Sequence, residues 1–211
     1  RASRFRLPSM ILRDWALANS GLLANRLGGA PVYPYQPKKV WEALHVAKNR
    51  SFEYPTSKGD DLYRRSLYTF WRRTIGPVNM FDSSDRQACR VKPGGTSTPL
   101  HALTTLNDPT WVEASRFLAE RVMGSASTGP DWLAEAFRLV NARLPSANEQ
   151  KILEETYREQ LAIYEKDSKA ASALLSVGQA KRNEKLPLPE HAALTITCLG
   201  ILNLDQSLTR E

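Results

Sequence analysis

Two groups of residues in this chain are of types and spacings that could do chemistry. The first is Asp82, Asp85 and Arg86, within the stretch FDSSDRQACRV at 81–91. Two carboxylates three residues apart could share a divalent ion or act as an acid/base pair. The second group is Arg64, Arg65, Arg72 and Arg73, interleaved with Tyr63, Tyr68, Phe70 and Trp71. Guanidinium groups grip carboxylates or sugar acids in a bidentate way, and the rings between them could stack on sugars or bases.

Each group also has a simpler structural account. Asp82 or Ser83 could cap a short helix from Ser84 to Arg90, with Asp85 complementing its dipole. The aromatic-arginine stretch could be an amphipathic core helix whose arginines snorkel to Asp60, Asp61 or Asp82. His45, His101 and His191 each stand alone, outside any H-E-x-x-H pattern. No G-x-S-x-G, phosphate-binding loop or dinucleotide fingerprint is present. Cys89 and Cys198 are far apart and form no C-x-x-C, and no C-x-x-C-H attaches a c-type haem. They could be two separate buried thiols, or could pair in an oxidising compartment. No metal ligand set and no cofactor of this chain's own is expected.

The elements that must position these residues read as helices. Pro8–Leu23 is predicted helical and stopped by Gly28-Gly29, and Pro37 opens a short helix through Val46. The stretch DLYRRSLYTFWRRT at 61–74 has aromatics at helical spacing, though its composition also suits a strand. A helix is expected there, because a lone strand has nothing to pair with. Thr98-Pro99 and Asp108-Pro109 each start a helix, through Leu106 and Met123, and Gly129-Pro130-Asp131 opens another that ends before Pro145. Ser146-x-x-Glu149 is a capping box opening a long helix to about Asp167. A short helix over Lys169–Val177 is closed by Gly178. A last helix, Glu190–Ser207, is apolar almost all round and therefore central. The expected fold is all-α: one irregular multi-helix domain over residues 1–211, with long packed loops at 24–37 and 76–97.

Composition narrows the class. The chain has 211 residues, 42% hydrophobic and 24% charged, as expected of a globular domain. No apolar run approaches the roughly 20 residues of a membrane-spanning helix. It starts at Arg1, and RASRFRLPS lacks the apolar core of a signal peptide, so a longer polypeptide is expected. Residues 1–100 carry 17 Lys/Arg against 7 Asp/Glu, and residues 101–211 carry 12 against 15. A basic half can bind nucleic acid or another anionic polymer, or dock on an acidic neighbour. Docking is favoured. The arginines come in pairs beside large apolar residues, whereas a phosphate-tracking surface is more often a lysine-rich stripe.

Several blocks together carry a resemblance. They are PYQPKKVWEA (34–43), DLYRRSLYTFWRRT (61–74), FDSSDRQACRV (81–91), TSTPLHALTTLNDPTWVEASRFLAERVM (96–123), ALLSVGQA (173–180) and ALTITCLGILNLDQSLTRE (193–211). In this order they resemble the C-terminal domain of unknown function of large planctomycete secreted proteins. Two departures are visible: the family's Thr-Asn-Thr-Pro-Leu-Gln is here Thr96-Ser97-Thr98-Pro99-Leu100-His101. The resemblance implies an extracytoplasmic location and a neighbouring cytochrome-c-like domain carrying haem c. It implies no activity and transfers no catalytic residue. The expected role is a non-catalytic docking module, its partners other domains of the same polypeptide or a haem-bearing subunit. An extracytoplasmic enzyme component with an Asp/Arg site, polysaccharide-directed or redox, and an anionic-polymer binder are the alternatives.

Overall fold

A computed structural model describes residues 4–37, 40, 54–72, 76–77, 79–82, 95, 98–125 and 129–210. Among them are eight α-helices and one two-stranded pairing, so the domain is all-α. Helix α1 spans Ser9–Ser20 and ends at Gly21, whose φ of 83° only glycine adopts freely. The expected stop at Gly28-Gly29 is thus displaced to Gly21. Leu22 and Leu23 leave the helix and pack on Leu17, Leu62 and Tyr63.

Helix α2 (Pro99–Asn107) and helix α3 (Pro109–Ser125) meet at Asp108, which is extended and ends one while starting the other. Its N–H bonds the Thr104 carbonyl at 2.8 Å, and its carboxylate accepts from the Thr110 N–H at 2.9 Å. Helix α4 spans Gly129–Asn141 and helix α5 spans Ala147–Lys166. Both halves of the α5 capping box form: Ser146 Oγ accepts from the Glu149 N–H, and Glu149 accepts from the Ser146 N–H. Helix α6 (Ser168–Leu175) is capped by Asp167.

Helix α7 (Leu188–Leu202) is the centre of the bundle, packing on α3, α4, α5 and α6. Its buried residues include Ala192, Leu194, Cys198, Ile201 and Leu202, and they occupy every face. Each buried Leu or Ile contributes about 1.5–3 kcal/mol relative to exposure. The expected extension to Ser207 is broken at Asn203. The short helix α8 (Asp205–Leu208) follows, and then strand β2 (Thr209–Arg210), which pairs antiparallel with β1 (Phe5–Arg6). The two described ends of the chain are thereby joined.

The largest departure from the sequence reading lies at 61–74. Over its described residues, 61–72, the stretch is not an α-helix. Two 3-10 turns, Gly59–Tyr63 and Ser66–Tyr68, alternate with extended residues Arg64 and Thr69. Its carbonyls explain why. Those of Leu62 and Arg64 accept from Arg13 of α1, at 2.9 Å each. Those of Tyr63 and Tyr68 accept from the Ala24 and Val32 N–H groups, at 3.1 and 2.8 Å. A helix would need these carbonyls for its own turns. The premise that a strand would find nothing to pair with also fails, since 24–32 lies alongside and makes parallel bridges at Ala24–Arg64 and Val32–Thr69. Leu67, expected on an apolar face, is 67% exposed. The helix expected at 84–90 lies outside the described residues, as do most of the one expected at 37–46 and most of the loop at 76–97.

Candidate functional site

The described residues among those singled out from sequence have separate surroundings. Arg64 is completely buried. Its guanidinium lies over the Tyr68 ring, 4.0 Å from the centroid, and donates to the carbonyls of Arg26, Gly28 and Ala30. It holds the 26–30 loop rather than facing a ligand. Arg65 lies 3.7 Å from Asp14, half exposed, and Asp61 pairs with Arg26. Trp71 and Arg72 are half buried, and a side chain at Gly76 would run into the Trp71 ring. Asp82 sits in a turn with φ of 60°. Just before it, the Phe81 ring stacks on His101 of α2 at 3.9 Å. Asp85, Arg86, Arg73 and Cys89 lie outside the described residues. Cys198 is a fully buried thiol, and burial pushes its pKa up.

A buried polar network on α3 has no counterpart in the sequence reading. Glu113 is fully buried and accepts from Tyr35 Oη and Tyr63 Oη, both at 3.0 Å, and from the Ala180 N–H at 2.8 Å. Arg116, one turn on, lies 3.5 Å from Glu113 and from Glu120 and donates to the Ala180 carbonyl at 2.6 Å. Gly178, at φ 93°, passes so close that an added Cβ would overlap the Glu113 carboxyl. Burial first, and then the Glu113 charge, pushes the Tyr35 and Tyr63 hydroxyls up, so they remain donors. One carboxylate thereby ties the 24–37 loop, the 59–69 segment and the turn after α6 to a single helix. With no exposure, it serves as a fastening rather than a reaction centre.

His191 of α7 lies at the edge of this network, fully buried and 3.6 Å from Glu120. Burial lowers its pKa to about 4. The folded protein therefore holds a neutral imidazole, while the unfolded chain takes up a proton below about pH 6.5. Stability attributable to this residue is intact above that value and is lost as pH falls toward 4. The loss is on the order of 2–3 kcal/mol. Glu120 and Asp108, whose pKa values burial raises, act in the opposite sense as pH rises through their own range. A comparison with His191→Leu isolates the histidine. Urea unfolding between pH 4 and 7 is expected to show a markedly shallower pH dependence in the variant, and parallel curves would refute the assignment.

An opening large enough for a small ligand lies at the α2–α3 corner. A cleft of about 430 Å³ is lined by Gln36, Asn79, Leu103, Asn107, Asp108 and Pro109, among others. Its polar side chains are ordered in sequence. Gln36 Nε2 donates to Asn79 Oδ1 at 3.2 Å, and Asn79 Nδ2 donates to Asp108 Oδ2 at 3.1 Å. Burial raises the Asp108 carboxyl above its ordinary pKa, against the hydrogen bonds of Thr110 and Asn79 and the charge of Arg13. Beside the cleft, α2 exposes Leu100, Leu103 and Leu106 at 70%, 59% and 42%. They recur every third residue and so lie along one side of the helix. Helix α2 buries only Thr105, which bonds Asn203 at the end of α7. The signal for this site was in the block TPLHALTTLNDP, read from sequence only as two helix starts.

Among the described residues no group of three or more His, Cys, Asp or Glu is placed to hold a metal ion, and no helix is long and apolar enough to cross a membrane. The described residues thus form a helical domain with an apolar-walled cleft beside an outward leucine row. A family model described as "Protein of unknown function (DUF1553)" matches residues 1–157, and the chain belongs to that family. No curated protein and no solved structure matches it.

Proposed function

We propose that this chain is a non-catalytic docking module of a larger extracytoplasmic polypeptide. The Leu100–Leu103–Leu106 side of α2 and the adjoining cleft receive a segment of a neighbouring domain. The observation that carries this reading is the pairing of three outward leucines with a cleft whose floor is an amide–amide–carboxylate series. An apolar side chain enters between Leu103 and Pro109, and the backbone N–H beside it meets Asp108. Such an anchor-and-pocket arrangement concentrates binding energy in a few desolvated residues. The buried charges support the same reading, since Arg13, Arg64, Glu113 and Arg116 are all engaged within the fold. The neighbour is a haem-bearing, cytochrome-c-like domain of the same polypeptide, as the resemblance of the sequence blocks implies.

The test replaces Leu100, Leu103 and Leu106 by serine and measures association with the haem-bearing part. Association is expected to weaken at least about tenfold, with the helical circular dichroism unchanged because these side chains are not in the core. Undiminished association would remove the proposal.

A further inference from the structure

A second cavity, of about 410 Å³, lies where the two described ends of the chain meet the α4–α5 corner. Arg4, Asn141, Arg143, Gln206, Thr209 and Arg210 line it. Three guanidinium groups from opposite ends and the middle of the chain therefore converge on one space. The β1–β2 pairing sets Phe5 against Arg210 and so brings Arg4 to the same edge.

Each arginine is held in place. Arg4 pairs with Asp205 and donates to Thr209 Oγ1 at 3.2 Å. Arg143 makes a two-pronged pair with Glu149, at 2.6 and 2.9 Å, also bonds Gln206, and lies over the Phe137 ring at 4.8 Å. Arg210 donates one nitrogen to the carbonyls of Gln206, Ser207 and Thr209 and pairs with no carboxylate among the described residues. Two carboxylates, Asp205 and Glu149, thus face three guanidinium groups. In addition, Asn141 is held at Oδ1 by Ser207 Oγ at 2.9 Å, and its Nδ2 is buried with no acceptor. Like charges gathered in one place repel, and an anionic guest relieves that repulsion.

We propose that this cavity binds a tetrahedral oxyanion, the phosphate or sulfate group of a small ligand. Arg4, Arg143 and Arg210 supply charge-assisted hydrogen bonds, which are the strongest available to such a group. The volume exceeds that of a single oxyanion and leaves room for part of the molecule that bears it.

The experiment is calorimetric titration of the 211-residue chain with inorganic phosphate, and separately with sulfate, at ionic strength held constant with chloride. Saturable binding of one ion per chain is expected. It should weaken at least about tenfold in Arg210→Gln and in Arg4→Gln, and persist in Arg26→Gln, which removes an exposed arginine elsewhere. The tighter of the two ions identifies the group. A response that does not saturate, or one lost equally in Arg26→Gln, would overturn the proposal by showing only a general charge effect. Arg4 is half exposed, so its variant keeps the test decisive even if Arg210→Gln disturbs the β1–β2 pairing.

Discussion

Replacing Glu113 by glutamine is expected to destabilise the protein by about 3–5 kcal/mol, the range for breaking a buried ion pair by removing one partner. The substitution preserves shape and removes charge. Arg116 then keeps only Glu120 as a counter-charge, at 3.5 Å. The two tyrosine hydroxyls and the Ala180 N–H, all of which donate to Glu113, must share one carbonyl oxygen and meet an NH2 group instead. No space exists for rearrangement, because Gly178 already passes against the carboxyl. Urea unfolding followed by circular dichroism measures the loss. A change below about 1 kcal/mol, the size of a surface substitution, would mean that the network does not fasten the loops to α3.

Replacing Arg64 by methionine is expected to cost a similar amount, with a local signature as well. Three backbone carbonyls, those of Arg26, Gly28 and Ala30, depend on this side chain. Methionine fills part of the volume but leaves them unsatisfied, and each hydrogen bond to a charged donor is worth about 1.5–3 kcal/mol. Arg64→Lys should recover only part, because an ammonium cannot spread its donors over three carbonyls in a plane or stack as well on Tyr68. Beyond a lower urea midpoint, limited proteolysis should show faster cleavage near Arg26 in the methionine variant. Unchanged cleavage together with unchanged stability would return Arg64 to the status of a candidate ligand-binding residue.

These two residues mark the limit of what the sequence disclosed. Local signals were readable. The Ser146–Glu149 capping box, the Thr-Pro and Asp-Pro helix starts and the all-round apolar character of α7 depend on residues within a few positions of one another. The stretch at 61–74 was misread because its conformation is decided elsewhere. Arg13 takes two of its carbonyls, and Ala24 and Val32 take two more, across separations that no periodicity within the stretch records. Aromatic spacing there suits a helix only by coincidence.

Glu113 and Arg116 did carry a signal that went unused. In α3 almost every residue from Thr110 to Ala119 is buried, so charges three apart on that helix must be buried and paired. The run WVEASRFLAE, with small and apolar residues on all sides of Glu113, announces this from sequence alone. The cleft was harder to find. Asp108 was recognised as a cap, but Gln36 and Asn79 arrive from two irregular segments, and nothing in their spacing ties them to it. A corner residue that ends one helix and starts another presents its side chain at a junction where other segments can converge. Asp-Pro between two apolar helices therefore merits more weight than a cap alone.

The central claim is that the outward side of α2 is covered in the complete polypeptide. The most direct measurement is titration calorimetry of the chain against the proposed haem-bearing neighbouring domain, with wild type beside the Leu100, Leu103 and Leu106 serine variant. Saturable one-to-one binding by the wild type is expected, with a negative heat-capacity change from apolar burial and affinity reduced at least about tenfold in the variant. Equal affinity for the two proteins, or no binding by either, would contradict it.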